Sequence, residues 1–262
     1  MSADPIISLR GVSKSYGGFV AAENITMHVN SGEIVALLGQ TGAGKSTIMN
    51  MIMGNTPTSS GELRVAGYDP YRDFAKLRGK LAVSFQTDRL LPWRTAVENA
   101  ELGLLILGMP RPKAREVALT WLSRVRLNGV ADKYVHELSG GMRQRVSLAR
   151  ALCVDPKLVL LDESFSQLDH VTSRALREDF SAVARQYQKT CLFVTHRIED
   201  ALEMADRVIV LRPKVGIALE RSISPEQRAD PVWLNDLAAC IAQTMGGDQP
   251  EDIEHGEGRD AV

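Results

Sequence analysis

"GEIVALLGQTGAGKST", residues 32–47, passes through five consecutive apolar side chains, Ile34 to Leu38, into a loop with three glycines and out through Lys45, Ser46 and Thr47. A short run that is apolar at every position, rather than at alternate ones, fits a strand covered on both faces, as in a parallel sheet. The next stretch, "GKSTIMNMIMG" (residues 44–54), reads as a helix that ends at a glycine. Between strand and helix, residues 39–47 fit G-x-x-x-x-G-K-[ST], in the context that motif requires. Glycine permits backbone angles closed to other residues, so successive N–H groups can turn inward around phosphate oxygens. The candidates for that cradle are Gly39, Gln40, Thr41, Gly42, Ala43, Gly44, Lys45, Ser46 and Thr47. Lys45 would bring positive charge to the β and γ phosphates and Ser46 a hydroxyl to Mg²⁺, while the helix N-terminus adds a favourable dipole. Nucleoside triphosphate binding is the expectation, against the plainer alternative of a glycine turn followed by an ordinary lysine.

Outward from this loop, strands alternate with helices. "SGELRVAG", "KLAVSF", "KLVLLD", "TCLFVTH" and "RVIVL" read as further strands, and "IEDALEMA" as a helix. Another helix has Leu176, Phe180, Val183 and Tyr187 on one face, and residues 95–126 turn helical with Pro110 and Pro112 as punctuation. This alternation predicts an α/β fold with a mostly parallel sheet covered by helices. The chain has 262 residues, 44% of them hydrophobic, enough for a full core and one elaborated domain. A formal net charge of −1 gives no overall field toward nucleic acid or anionic lipid, and no nucleic-acid partner is expected. The longest apolar stretch, "LGLLILGM", is far short of the roughly twenty residues that a spanning helix needs. The start, "MSADPIISLR", lacks the pattern of a secretory signal. Cys153, Cys191 and Cys240 have neither metal-ligand nor disulfide spacing and are expected to be small buried hydrophobes in a reducing compartment. The acidic, glycine-containing tail, residues 246–262, is expected to be disordered.

A phosphate loop alone does not choose among kinases, GTPases, motors and transport ATPases. "LSGGMRQR" (residues 138–145), with the loop upstream and "LVLLDE" downstream, resembles the signature of the ABC (ATP-binding cassette) ATPases, over about residues 6–225. That resemblance implies a domain over residues 1–235, with an N-terminal antiparallel β subdomain and an inserted helical subdomain at about residues 88–150. It implies ATP and Mg²⁺ as cofactors, and a pair of subunits sandwiching two ATP molecules. Ser139, Gly140 and Gly141 would then contact the γ phosphate of the partner's ATP.

Further roles are implied residue by residue by the same resemblance. Asp162 would hold Mg²⁺, and Glu163 would direct the attacking water, although an arbitrary acid pair ending a strand is ordinarily solvated charge. Gln86, in "SFQTDRLLPW", matches the glutamine that touches Mg²⁺ and water and links the core to the helical subdomain. His196, in "VTHRIEDA", matches the switch histidine at the γ phosphate. Tyr16 matches the aromatic that stacks on adenine, with Phe19 as its nearest rival, and Asp169 matches the aspartate that joins the two sites across the dimer. Where members usually read D-E-P-F-G-A-L-D, this chain reads "DESFSQLD", with Ser164, Ser166 and Gln167 as departures, and Arg197 stands where an acid is usual. Ser164 restores an N–H and frees a backbone angle beside Glu163, which is expected to loosen the base.

"RLLPW" (residues 89–93) is similar to the nitrate, sulfonate and taurine importer group. The expected partners are a second ATPase subunit, two membrane-spanning permease subunits and, indirectly, an extracytoplasmic solute-binding protein. The expected place is the cytoplasmic face of the inner membrane. Leu91, Pro92 and Trp93 are expected near the groove for the permease's coupling helix, with Trp93 packed inside the helical subdomain as the alternative. An exporter ATPase or a soluble, non-transport ABC ATPase are the other readings. The transported solute lies outside what this chain encodes.

Overall fold

The apolar run at residues 34–38 lies inside a six-stranded sheet, as hydrophobicity on both faces requires. A computed structural model describes residues 5–165 and 170–246. In chain order the strands are β1 (Ile7–Tyr16), β2 (Phe19–Val29), β3 (Ile34–Gly39), β4 (Ser60–Val65), β5 (Leu81–Ser84), β6 (Leu158–Asp162), β7 (Thr190–Val194), β8 (Arg207–Arg212) and β9 (Gly216–Ser222). The helices are α1 (Lys45–Ile52), α2 (Ala96–Ala100), α3 (Leu102–Ile106), α4 (Arg111–Arg124), α5 (Gly140–Cys153), α6 (His170–Gln186), α7 (Ile198–Met204), α8 (Pro225–Arg228) and α9 (Pro231–Gly246).

The large sheet has the order β5-β6-β7-β3-β8-β9, parallel from β5 to β8, with β9 antiparallel at the edge. Each buried strand divides its side chains between two cores. Ile34, Ala36 and Leu38 face one that also holds Trp121, Leu148 and Phe180, whereas Val35 and Leu37 face one that holds Ile48 and Met51 of α1. The second core also contains Leu9, Ile25 and Leu63 of a separate antiparallel sheet, β2-β1-β4. Burying one such leucine or isoleucine contributes about 1.5–3 kcal/mol.

Helices α2 to α5 lie between β5 and β6 along the chain and pack on one another. α2 begins at a capping box in which Thr95 and Glu98 satisfy each other's backbone N–H groups. Asn99, fully buried, donates to the carbonyls of Leu91 and Thr95 and accepts from the Leu91 N–H, pinning the "RLLPW" segment to α2. Of the face expected on α6, Leu176, Phe180 and Val183 are buried and Tyr187 packs against Trp121 at 5.3 Å.

One expectation needs correction. Cys240 is exposed, unlike Cys153 and Cys191, whose burial pushes their thiols up to about 12. Helix α9 runs on past residue 235, and its Leu237 and Ile241, one helical turn apart, insert into the first core. The rest of the tail, residues 247–262, lies outside the described residues.

Candidate nucleotide site

In a parallel sheet the carboxyl ends of the strands share one edge, where α/β folds place their ligands. Along that edge the order β5-β6-β7-β3 sets four sequence-distant pieces side by side: Gln86 just past β5, Asp162 and Glu163 at the end of β6, His196 just past β7, and the glycine loop after β3. Asp162 is in register with Val194, which is in register with Leu37.

The loop has the backbone that its sequence predicts. Gly42 and Gly44 have φ of 83° and 91°, angles strained for any residue with a Cβ. The Lys45 side chain is 8% exposed and folds back so that Nζ donates to the carbonyls of Gly39, at 2.5 Å, and Gln40, at 2.9 Å. Burial lowers the Lys45 pKa, and the nearby charges of Glu163 and Asp162 oppose that shift. Ser46 is exposed at the N-terminal end of α1. The loop, Phe19 and Glu163 line a pocket of about 220 Å³.

Asp162 is pushed above the usual carboxylate range, first by burial and then by the neighbouring Glu163 charge, while Arg89 and Lys45 pull it down. Glu163 sits at φ 46°, a left-handed conformation, with its N–H donated to the Val194 carbonyl at 3.1 Å. Its Oε1 lies 3.4 Å from Nδ1 of His196, which is exposed. Ser46, Asp162 and Gln86 offer a hydroxyl, a carboxylate and an amide oxygen, donor types that suit a hard cation. Among the described residues no group of three or more His, Cys, Asp or Glu could hold a metal. Mg²⁺ commonly binds through one or two carboxylates plus substrate phosphates, so the residues present fit the pair of ATP and Mg²⁺.

Other expected residues lie around this centre. Tyr16 and Phe19 are cross-strand partners at the tip of the β1-β2 hairpin, 48% and 64% exposed. Phe19 is the aromatic in the pocket lining, while the Tyr16 ring faces Lys14 Nζ at 4.9 Å. Ser139 caps α5, accepting a hydrogen bond from the Met142 N–H at 3.3 Å, and both it and Gly140 are exposed. Neither these two nor Gly141 is in the lining of the chain's own loop pocket. Asp169, Ser166 and Gln167 lie outside the described residues.

Ser164, beside Glu163, is 3% exposed, and its Oγ donates to the Ser84 carbonyl at 2.9 Å. Arg197 turns toward Asp200, with Nε 3.7 Å from Oδ1. Trp93 is 70% exposed, which excludes packing inside the helical unit. Sequence reasoning missed the arginines that hold the segment after Gln86 on α5. Arg143 pairs with Asp88 at 3.0 Å, and Arg150 donates to the carbonyls of Asp88 and Arg89. Their spacing, seven residues on one helix, is the signal that points to a shared face.

A glycine cradle with a buried lysine, an acid pair and a histidine on one sheet edge defines a nucleoside triphosphatase of the phosphate-binding-loop class. The particular family is given by likeness to known chains. Residues 22–166 match the family model described as ABC transporter, and the chain belongs to that family. It is 39% identical to the taurine import ATP-binding protein TauB of Yersinia pestis over 82% of this chain and 83% of that one. Against TauB of Escherichia coli it is 39% identical over 79% of each chain. Among solved structures it resembles a dimeric post-hydrolysis state of the ATP-binding cassette MJ0796 bound to ADP and Pi, at a TM-score of 0.71 and 30% identity over 82% of this chain and 98% of that one. CbiO1 of Clostridium perfringens, at TM-score 0.79 and 24% identity over 92% of this chain and all of that one, shares the fold. This protein is thus an ATP-binding, ATP-hydrolysing ABC cassette.

Proposed function

We propose that this chain energises an importer for a small solute of the nitrate, sulfonate or taurine kind, as one of two ATPase subunits seated under two membrane permease subunits at the cytoplasmic face of the inner membrane. An extracytoplasmic solute-binding protein would deliver the solute. The observation that carries the ATPase half is the 3.4 Å approach of His196 to Glu163 beside the lysine loop. Support for the transport half comes from the TauB relatives and from an apolar groove. That groove, about 520 Å³, is lined by Phe74, Leu77, Leu81, Ile106, Leu107 and Val154, with Phe74 and Ile106 both 59% exposed. No described helix is long and apolar enough to cross a membrane, which suits a cassette attached through partner chains.

At the site, Lys45 and the loop N–H groups hold the phosphates, and Tyr16 at the hairpin tip stacks on the base. Glu163 orients and polarises the water, and His196 hydrogen-bonds the γ phosphate. Ser46, Asp162 and Gln86 would hold Mg²⁺, which when bound supplies charge neutralisation between the phosphates. Ser139, Gly140 and Gly141, outside the chain's own pocket, would complete a second subunit's site, with Asp169 linking the two.

Glu163→Gln tests the base. It is expected to lower kcat for ATP hydrolysis by about 10²–10⁴-fold while ATP binding persists. Hydrolysis at the parent rate, measured as phosphate release, would refute the assignment.

A further inference from the structure

We infer that Ser164 is a positioning residue for the hydrolytic reaction: its hydroxyl latches the turn that carries Glu163 to the end of the strand that leads into Gln86. The inference rests on the reading of Glu163 as the water-directing base. Glu163 has φ 46°, and a residue with a Cβ keeps that conformation only where its surroundings over-determine it. Its own N–H is held by β7 through the Val194 carbonyl. The next residue supplies the hold on the other side, because Ser164 Oγ donates at 2.9 Å to the carbonyl of Ser84, the last residue of β5.

Both serines are shut from water, at 3% and 0% exposure, so the hydroxyl has no solvent to exchange with. Beyond it, Phe165 is held separately, its carbonyl accepting from Ser173 Oγ at 3.0 Å. On the far side Ser84 Oγ lies 3.5 Å from Ser147 Oγ on α5. The turn is therefore fastened to β7 at the Glu163 N–H and to β5 at the next residue, and the second fastening is a side chain. A proline at this position would have no hydroxyl to donate, so the contact belongs to the serine.

The test uses the full chain and three variants, Ser164→Ala, Ser164→Thr and Glu163→Gln, with steady-state phosphate release, binding of a fluorescent ATP analogue and thermal midpoints. Losing one buried hydroxyl contact that acts on the base is expected to lower kcat roughly 3- to 10-fold. In Ser164→Ala, KM and analogue affinity should stay at the parent values and the thermal midpoint should fall by no more than a few degrees, as loss of one buried hydrogen bond implies, and Ser164→Thr should regain most of kcat. Parent-level kcat in Ser164→Ala, with Glu163→Gln inactive, overturns the latch alone. An equal fall of kcat and analogue affinity in Ser164→Ala would mark a general structural role and overturn it as well. If Glu163→Gln itself turns over like the parent, the base assignment fails and the latch fails with it.

Discussion

Replacing Gly44 by alanine should damage nucleotide binding by two separable routes, and replacing Gly42 should damage it by one. Both glycines occupy the left-handed region, at φ 91° and 83°, where an added Cβ costs about 1–2 kcal/mol per residue. At Gly42 nothing lies within 4 Å of the position a Cβ would take, so strain is the whole effect. If the loop relaxes away from the phosphate-ready conformation by that amount, ATP affinity falls ~5- to 30-fold, since each 1.4 kcal/mol is about tenfold. At Gly44 a Cβ would also stand 2.4 Å from the Ala21 carbonyl oxygen, where contacts under 3.0 Å are essentially never seen. Either the start of α1 or strand β2 must yield, and overpacking of this sort adds about 1–3 kcal/mol. Gly44→Ala should therefore lose more than about 30-fold in affinity and, because β2 is disturbed, several degrees in thermal midpoint. Titration with a fluorescent ATP analogue and thermal melting of both variants measure this. Equal affinity losses in the two, or either variant within twofold of the parent, would refute the steric reasoning.

The base and the apolar groove lend themselves to similar tests. Tyr16→Ala should weaken ATP binding by about 1–3 kcal/mol without changing pyrophosphate binding, as competition titrations would read, because only the base loses a stacking face. Unchanged ATP affinity in that variant, with a loss in Phe19→Ala, would move the role to the pocket-lining aromatic. Leu107→Asp, a charge placed in the groove, should abolish co-purification with a multi-span membrane subunit while leaving ATP binding intact, and continued co-purification would show that the groove is not the docking surface.

Much of the fold was legible because hydrophobic patterning is local. The runs at residues 34–38 and 158–161 are apolar at every position, and the structure splits each between two cores. The antiparallel β1-β2 pair was expected only through family resemblance, since bulges interrupt its alternation at Leu9, Val12 and Lys14. The last helix was not legible in the sequence because only Leu237 and Ile241 of it are buried, a weak apolar pattern beside an acidic tail.

By itself the sequence determined the chemistry available: three ordered motifs, a glycine loop whose conformation is dictated by its residue types, and an acid pair that ends a buried strand. Whether those pieces could meet was decided by strand order. Lys45, Gln86, Glu163 and His196 are far apart along the chain, and they converge only because β5, β6, β7 and β3 lie side by side and parallel. Tertiary structure also gives Ser164 a contact that the chain alone does not show. Read along the chain it removes a proline's restraint, yet in the fold its hydroxyl reaches a carbonyl 80 residues away, a contact that no local pattern encodes.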